Sequence, residues 1–501
     1  MLVRAGVLLD KRPLVGHLIV MIAGALLPLS FAPFNWWPLG IVSLLLLFVC
    51  IDRQSLGTTT LRFYLFYTAM YGVGASWIFV SLNVYGGSST ILAGFLVMLL
   101  VMSWSLTGLA HGYVYGRFIA EVPSGLLLGF PAIWVLSEWV RSWLLTGFPW
   151  LFIGYGHLST PLVGYAPIMG ILGVGFTVVF TATLLYQFVL SRKFRHLALI
   201  MAVWLLGFFL YQYDFVVEQK QITVVAVQGN IDQHTKWQRN MVMPILNQYI
   251  SLTEPEWGAD LIVWPEAAIT VFRENAGLIL EDLDRNGKQS GSTLLLGIPD
   301  RDAEGYFLNS AISIGQGTGT YIKRQLVPFG EYVPLENWLR GVINAFDLPM
   351  SHNRAGGADQ VALTAGGLKL SVSICYEVIY PELVRSTTHL PDLLVTISND
   401  TWFGASIGPA QHLQMAQMRA IENGRYLLRG TNNGITALVN HRGEITDSLP
   451  QFEPGVLKAK AGIMKGITPF HQFGQTPIII LCTMLLFAMV LVRFLNFKGR
   501  H

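Results

Sequence analysis

Charge is scarce in this sequence. Only 13% of the 501 residues are charged and 52% are hydrophobic, whereas a typical soluble domain is roughly 25% charged. This excess of apolar residues excludes a single soluble globule. The charge is also uneven, because 46 of the 63 charged residues fall in 214–474 and 14 fall in 1–213. The composition therefore predicts a membrane segment, then a soluble segment, then a last membrane piece.

Cysteine is rare as well, with three residues in the chain. Cys50 and Cys482 lie in apolar runs, where cysteine behaves as a small hydrophobe, but Cys375 lies outside such runs. The eleven histidines are scattered and no C-x-x-C or H-E-x-x-H spacing occurs, so we expect no metal site and no cofactor. The net charge of +3, without a basic cluster, gives no indication of a nucleic-acid partner.

Long apolar runs predict a multi-pass membrane domain, because about 20 mostly apolar residues span a bilayer. Eight transmembrane helices are predicted, at 14–33, 36–51, 62–82, 88–110, 123–145, 163–190, 196–213 and 475–495. The predicted domains are therefore 1–213 with seven helices, a soluble catalytic domain at 214–474, and 475–501 with the eighth helix and a tail.

The basic residues predict the orientation of these helices. Lysine and arginine cluster before the first span, between the sixth and seventh, and after the eighth, whereas the connections 34–35, 83–87 and 146–162 carry none. Because basic residues favour the cytoplasmic side, both termini are predicted to be cytoplasmic. The soluble domain then lies on the far side, which is the periplasm in a Gram-negative bacterium.

The fifth predicted span carries Glu138 and Arg141, which are three residues apart and share a helix face. One interpretation is an interfacial anchor surrounded by tryptophans. The other is a polar notch that contacts lipid or substrate, since ionisable residues inside a membrane are often functional.

The soluble segment reads as an α/β domain. Short β-branched runs, typical of strands, alternate with helical stretches at 236–253, 278–289 and 408–423, which predicts layers with largely buried sheets. The predicted strands are 222–228, 259–266, 292–299, 308–314, 320–323, 370–375, 393–400 and 434–440.

Three reactive side chains stand beside predicted strand ends: Glu266 in W-P-E, Lys323 in Y-I-K-R, and Cys375 in S-I-C-Y-E. A thiol is a strong nucleophile that needs a base, which Glu266 can supply. Lys323 and the backbone N–H of Tyr376 can stabilise an oxyanion, and Glu331 can orient either Lys323 or the nucleophile. Each residue also has an ordinary structural explanation, as core packing, a turn or a solvated loop. His412 is the nearest histidine for the weaker Cys–His alternative.

These motifs resemble the nitrilase, or carbon–nitrogen hydrolase, superfamily over 221–460. The superfamily's Glu-Lys-Cys triad falls on Glu266, Lys323 and Cys375, and N-D-T-W-F-G at 399–404 and T-N-N-G-I-T at 431–436 also match. With its predicted membrane spans, the chain as a whole is similar to the bacterial apolipoprotein N-acyltransferase family, with which the S-E-W-V-R stretch of the fifth span agrees.

The resemblance implies an αββα sandwich and a ping-pong acyl transfer in the bacterial inner membrane. Cys375 would take the sn-1 acyl chain of a phospholipid, typically phosphatidylethanolamine, as a thioester. The α-amino group of the N-terminal diacylglyceryl-cysteine of an apolipoprotein would then accept it. The resemblance also implies supporting roles for Trp237, Glu331, Tyr376 and Glu377.

An apolar segment at 338–350 is too short to span a membrane and includes Trp338 and Phe346. It is either a packed surface helix or an arm that enters the leaflet and contacts lipid.

Three other functions compete with acyl transfer. A membrane-tethered nitrilase-type amidase would use the same triad with water as the acceptor. A degenerate, non-enzymatic scaffold is disfavoured by the intact Glu266, Lys323 and Cys375. A transporter is disfavoured because most spans lack paired internal charges.

Overall fold

The computed structural model describes residues 12–332, 353–385 and 390–498. They belong to two compact units, one comprising Met1–Asp214 and Pro469–His501 and the other Phe215–Thr468. The second boundary therefore falls between residues 468 and 469, whereas the sequence placed it between 474 and 475.

The first unit is helical. Its described α-helices are α1 Pro13–Leu26, α2 Pro38–Ile51, α3 Leu56–Gly74, α4 Trp77–Val80, α5 Thr90–Val114, α6 Phe130–Arg141, α7 Ala166–Ser191, α8 Arg195–Gln212, and, after the second unit, α13 Pro469–Phe473 and α14 Thr476–Lys498. Within the described residues, five helical segments are long and apolar enough to cross a membrane. A sixth is added if α3 and the segment Trp77–Tyr85, bent by 51°, form one span.

Three of the eight predicted spans differ from continuous long helices, and one of them, 62–82, is the bent pair just described. The second predicted span is the 14-residue helix α2. The fifth was predicted over 123–145, but its α-helix covers only Phe130–Arg141, after one π-helical turn at Gly125–Gly129. The chain leaves the helix beyond Arg141, where Gly147 (φ +89°) and other residues adopt left-handed backbone conformations.

The second unit is built on two sheets of six and seven strands, in the orders β13-β1-β2-β3-β4-β6 and β12-β11-β10-β9-β8-β7-β5. The strands are β1 Val216–Gln228, β2 Leu261–Val263, β3 Thr293–Arg301, β4 Phe307–Gly315, β5 Gly317–Thr318, β6 Thr320–Ile322, β7 Leu363–Ala365, β8 Leu368–Ile374, β9 Leu393–Ser398, β10 Leu427–Thr431, β11 Ala437–Val439, β12 Ile445–Ser448 and β13 Gly455–Gly466. The helices are α9 Val242–Thr253, α10 Gly277–Ser290, α11 Pro381–Arg385 and α12 Gly408–Asn423.

The sheets face each other across one apolar core. Val224, Val263 and Leu295 of the first sheet pack in the same cluster as Ile374 and Val395 of the second. On its other face the first sheet packs against α9 and α10, and the second sheet carries α11 and α12. The predicted αββα layering is therefore present, and β2 and β9, which are buried along their whole length, are mostly apolar for that reason.

Parallel pairing at the centre of each sheet determines where functional residues collect. Strand β2 runs parallel to β1 and β3, and β8, β9 and β10 run parallel to one another. Parallel strands present their carboxyl ends at one edge, where ligands of α/β folds usually bind.

Several predicted boundaries were wrong. The helix expected at 236–253 begins at Val242, and the strand expected at 259–266 ends at Val263. The strand at 434–440 does not close the domain, because β12 and β13 follow and β13 pairs antiparallel with β1 along most of its length. The arm predicted at 338–350, with Trp338 and Phe346, lies outside the described residues.

Candidate active site

The carboxyl ends of three strands bring the predicted triad together. Glu266 follows β2, Lys323 follows β6 and Cys375 follows β8 directly. Lys323 Nζ lies 3.4 Å from Glu266 Oε1. The charges of Glu266 and Lys323 also act in opposite directions on the pKa of the Cys375 thiol. The three side chains thus share one site between the two sheets.

Glu266 is held by donors from both sheets. Its Oε1 accepts from Asn309 Nδ2 at 2.7 Å, and its Oε2 accepts from the backbone N–H of Asn399 at 2.8 Å. Its own backbone carbonyl accepts from Lys236 Nζ at 3.2 Å. A carboxylate fixed on both oxygens and at its main chain has a defined direction from which to accept a proton.

Lys323 lies between two carboxylates. Its Nζ is 2.7 Å from Glu331 Oε1, which is closer than Glu266, and the Lys323 side chain is only 1% exposed. Burial opposes the charged form, but Glu331, Glu266 and Cys375 outweigh it and raise the pKa of Lys323 well above its ordinary value. The side chain is therefore a permanent cation at neutral pH.

Glu331 is oriented in turn, because its Oε2 accepts from the backbone N–H of Val327 at 2.8 Å and its Oε1 also faces Asn309 Nδ2 at 3.3 Å. A hydrogen bond within the V-P-F-G-E-Y loop therefore orients Glu331, and Glu331 in turn forms the ion pair with Lys323.

Cys375 is partly buried and sits at the sharp turn between β8 and a 3-10 helix over Cys375–Ile379. Its φ of +53° lies in the left-handed region that non-glycine residues rarely adopt. Burial and then the Glu266 charge raise the pKa of its thiol, while Lys323 and a hydrogen bond with Ser398 oppose that rise. The resting group is therefore a thiol, which needs a base at the moment of attack.

Glu377 ties the nucleophile turn to the lysine loop. This buried carboxylate accepts from the backbone N–H groups of Ile374 (2.7 Å), Arg324 (2.6 Å) and Gln325 (3.1 Å), and from Tyr321 Oη (2.9 Å). Burial raises its pKa, with the backbone donors and Lys323 opposing. Glu377 therefore has what we call a bracket role: it joins the backbone before Cys375 to the loop after Lys323 rather than facing the thiol.

Tyr376 is buried with its ring 5.3 Å from that of Tyr380, and burial raises its pKa. Trp237 is 40% exposed, and Lys236 Nζ lies 5.9 Å from its ring centroid. Lys236 therefore links the loop that bears Trp237 to the backbone of Glu266, and burial lowers the pKa of Lys236 to about 8.

A buried charged cluster lies behind Cys375. Asp400 accepts from Ser398 Oγ at 2.6 Å and from the Arg429 guanidinium. His412 has Nδ1 3.1 Å from Asp400 Oδ1 and Nε2 3.2 Å from the carbonyl oxygen of Cys375. His412 thus faces the main chain of the nucleophile, whereas the Cys–His alternative required it to face the thiol.

In the helical unit, Glu138 and Arg141 pair at 3.6 Å and both side chains are buried. Glu138 Oε1 accepts from Trp134 Nε1 at 3.0 Å and from the backbone N–H of Ile153 at 2.8 Å. Arg141 donates to Tyr71 Oη at 2.5 Å. Glu138 therefore holds the chain at Ile153 against α6. Both side chains of the pair are too buried to act as an interfacial anchor.

Sequence reasoning missed Lys236, Asn309, Ser398 and Arg429. Asn309 carried a signal, because it is a polar residue in the otherwise apolar run L-N-S-A-I-S-I. Lys236 and Arg429 carried none, since each pairs with groups far away in the chain. Among the residues that the structure describes, no group of His, Cys, Asp and Glu side chains has the arrangement of a metal site.

The arrangement has the parts of nucleophilic acyl transfer: a thiol, a fixed carboxylate base and a buried cation at a strand edge. Two family models match the chain. The Apolipoprotein N-acyltransferase N-terminal domain matches residues 23–184, and Carbon-nitrogen hydrolase matches residues 223–461.

Relatives match the chain over almost its whole length. The chain is 41% identical over 482 residues to an apolipoprotein N-acyltransferase of Pseudomonas syringae pv. tomato, covering 94% of this chain and 95% of that protein. It is 40% identical over 500 residues to the Pseudomonas aeruginosa protein of the same name, covering 97% and 98%. The Saccharomyces cerevisiae Nit3 crystal structure covers 50% of this chain and 92% of its own at 16% identity, with a TM-score of 0.38.

Proposed function

Because the chain belongs to the apolipoprotein N-acyltransferase family, we propose that it moves an acyl chain from a phospholipid to the N-terminus of an apolipoprotein. The donor position is the sn-1 ester, and the acceptor is the α-amino group of the N-terminal diacylglyceryl-cysteine. The carrier is a thioester on Cys375. The observation that carries this proposal is the convergence of Glu266, Lys323 and Cys375 in one site between the two sheets.

In the first half-reaction Glu266 takes the proton of the Cys375 thiol as Sγ bonds to the ester carbonyl carbon. The negative charge that develops on the carbonyl oxygen is stabilised by Lys323 and by the Tyr376 N–H. The carbon–oxygen bond of the ester then breaks. The proton on Glu266 passes to the leaving glycerol oxygen, so a lysophospholipid departs and the thioester remains.

In the second half-reaction the neutral α-amino group of the acceptor bonds to the thioester carbonyl carbon. Glu266 accepts a proton from that nitrogen, the carbon–sulfur bond breaks, and the sulfur recovers the proton. The product is an amide, and the same Lys323 cation serves both tetrahedral intermediates.

Both substrates are lipids anchored in a bilayer, which the apolar helices of the first unit suit. We place the chain in the bacterial inner membrane with the domain at 214–474 on the periplasmic side and both termini in the cytoplasm, as the distribution of basic residues predicts. The eight-span arrangement, with 1–213 and 475–501 as the membrane segments, and phosphatidylethanolamine as the donor are parts of the same proposal.

The experiment is to incubate the purified protein with phospholipid labelled in its sn-1 chain and measure a hydroxylamine-sensitive acyl adduct. Cys375→Ser is the matched variant, since an ester on serine resists mild hydroxylamine. Wild type is expected to carry the label, and the variant is expected to lose the hydroxylamine-sensitive adduct. Sensitive adduct persisting in the variant overturns the assignment of Cys375.

A second step separates acyl transfer from hydrolysis. Adding a diacylated lipopeptide is expected to discharge the adduct into an amide-linked product. Discharge only into free fatty acid would instead favour the membrane-tethered nitrilase-type hydrolase.

A further inference from the structure

The main chain of Cys375 is held from behind by helix α12. His412 Nε2 lies 3.2 Å from the Cys375 carbonyl oxygen, and seven residues later Arg419 Nη1 lies 3.1 Å from the carbonyl oxygen of Ile379. Residues seven apart share a helix face. One face of α12 therefore holds the nucleophile turn Cys375–Ile379 at its first and last residues.

The contact with Cys375 has a defined proton. A carbonyl oxygen only accepts hydrogen bonds, so His412 Nε2 must carry the hydrogen. Arg429 Nη2, which only donates, lies 3.1 Å from His412 Nδ1 and also binds Asp400. Burial and the nearby Arg429 charge lower the pKa of His412, which favours the neutral ring with its proton on Nε2. A doubly protonated ring keeps that same proton.

The peptide unit that His412 holds is the one that contains the Tyr376 N–H. The bond between Cys375 and Tyr376 is trans, and the C=O and N–H of a trans peptide point in opposite directions in one plane. Fixing the carbonyl on the α12 side therefore fixes the N–H on the other side. This matters because the φ of +53° at Cys375 is intrinsically unfavourable and needs support from its surroundings.

We propose that His412, oriented by Arg429, which Asp400 binds in turn, is a positioning residue of the oxyanion hole. By donating to the Cys375 carbonyl oxygen, it aims the Tyr376 N–H at the position where the oxyanion develops. The cluster also reaches the thiol side, because Ser398 hydrogen-bonds both Asp400 and Cys375. The inference rests on the proposed acyl transfer at Cys375.

Two readouts separate this role from simple packing. Acylation by phospholipid passes through an oxyanion, whereas alkylation of Cys375 by iodoacetamide is a displacement at carbon that forms none. Loss of an oxyanion donor lowers acyl-transfer rates by about a hundredfold or more. Both rates are measured as single-turnover rate constants, which do not depend on the fraction of protein that is active.

The variants are His412→Gln and His412→Met, whose side chains are similar in length but differ in the N–H donor. The Met variant is expected to acylate about a hundredfold more slowly than wild type and to alkylate at an unchanged rate, and the Gln variant is expected to recover part of the loss. His441→Leu, in the turn between β11 and β12, serves as a control that changes neither rate.

Equal acylation by the Gln and Met variants overturns the inference, as does a parallel fall in acylation and alkylation, which indicates packing alone. If wild type itself forms no acyl adduct, the proposed function fails. If wild type forms it and His412→Met forms it equally fast, only the role of His412 fails.

Discussion

Of the two carboxylates that contact Lys323, Glu331 is the closer, with 2.7 Å between Nζ and Oε1, against 3.4 Å from Lys323 to Glu266. Glu331 therefore contributes more than Glu266 to keeping Lys323 charged, which agrees with the proposed role of Glu266 as the base. This difference follows from position, because Glu331 is fixed by Val327 in its own loop whereas Glu266 sits at the end of β2.

Glu331→Gln is expected to slow acylation by about 10- to 100-fold, because the oxyanion partner loses charge and orientation. Removing the carboxylate also lowers the pKa of Lys323, since burial then acts with less opposition. The acylation rate of the variant is thus expected to fall at alkaline pH where Lys323 of the wild type stays charged. Single-turnover acylation across pH measures both effects.

The matched control for that variant is Glu304→Gln, which removes an exposed carboxylate 2.8 Å from Arg354 and is expected to leave the rate unchanged. A Glu331→Gln profile that parallels the wild type at every pH would show that Glu331 does not govern the charge of Lys323.

Glu377→Gln is expected to destabilise the second unit by about 2 to 3 kcal/mol, because the buried oxygens lose charge-assisted bonds and one amide N–H₂ must face backbone donors. Thermal or chemical unfolding in detergent measures this. Glu382→Gln, which breaks the partly exposed pair with Arg385, is expected to have almost no effect. Equal stability of the two variants would contradict the bracket role of Glu377.

Which parts of the site could be predicted from the sequence depends on how far apart in the sequence the contacting residues lie. The positions of Glu266, Lys323 and Cys375 beside strand ends were predictable, because each of these residues adjoins an apolar strand run. The pairing of β13 with β1 joins residues more than two hundred positions apart, and no local pattern announces it.

The fold differed from prediction where local signals are weakest. The helix expected at 236–253 starts at Val242, because the preceding residues form turns that place Lys236 against Glu266. In the helical unit, the apolar run at 123–145 is longer than α6, because apolar residues also occupy the chain on either side of that helix. Tertiary contacts rather than periodicity decide such segments.

Lys236 is expected to make the stability of the protein increase with pH in the alkaline range. Burial lowers its pKa to about 8 from 10.5, so between these values the unfolded chain binds more protons than the folded one. Stability contributed by this group therefore rises with pH over that window and is lowest below pH 8. The unfolding free energy of wild type, measured relative to that of Lys236→Met, is expected to rise by about 3 kcal/mol between pH 7.5 and 10.5.

Unfolding free energies of the two proteins measured in parallel across pH test this. Lys460→Met is the control for loss of a surface amine, since the exposed Lys460 donates to the hydroxyl of Thr223 at 2.7 Å. A difference between wild type and Lys236→Met that stays constant with pH would contradict the buried-ammonium interpretation.

Glu138 and Arg141 provide a test in the helical unit. Glu138→Gln keeps an oxygen for Trp134 Nε1 and for the Ile153 N–H but leaves Arg141 without its anionic partner. Removing one member of a buried pair typically costs about 3 to 5 kcal/mol, so we expect a clear fall in thermal stability in detergent. Glu121→Gln, whose exposed carboxylate pairs with Arg493 at 2.9 Å, is the control and is expected to be nearly neutral.

The same variant decides between the structural role of the pair and the lipid-contact hypothesis. If the pair only pins the chain after α6, Glu138→Gln lowers stability while the KM for phospholipid of the remaining folded enzyme stays at the wild-type value. If Glu138 contacts substrate, the KM rises although stability is retained. The burial of both side chains favours the first result, because a lipid headgroup has to reach the carboxylate before it can bind there.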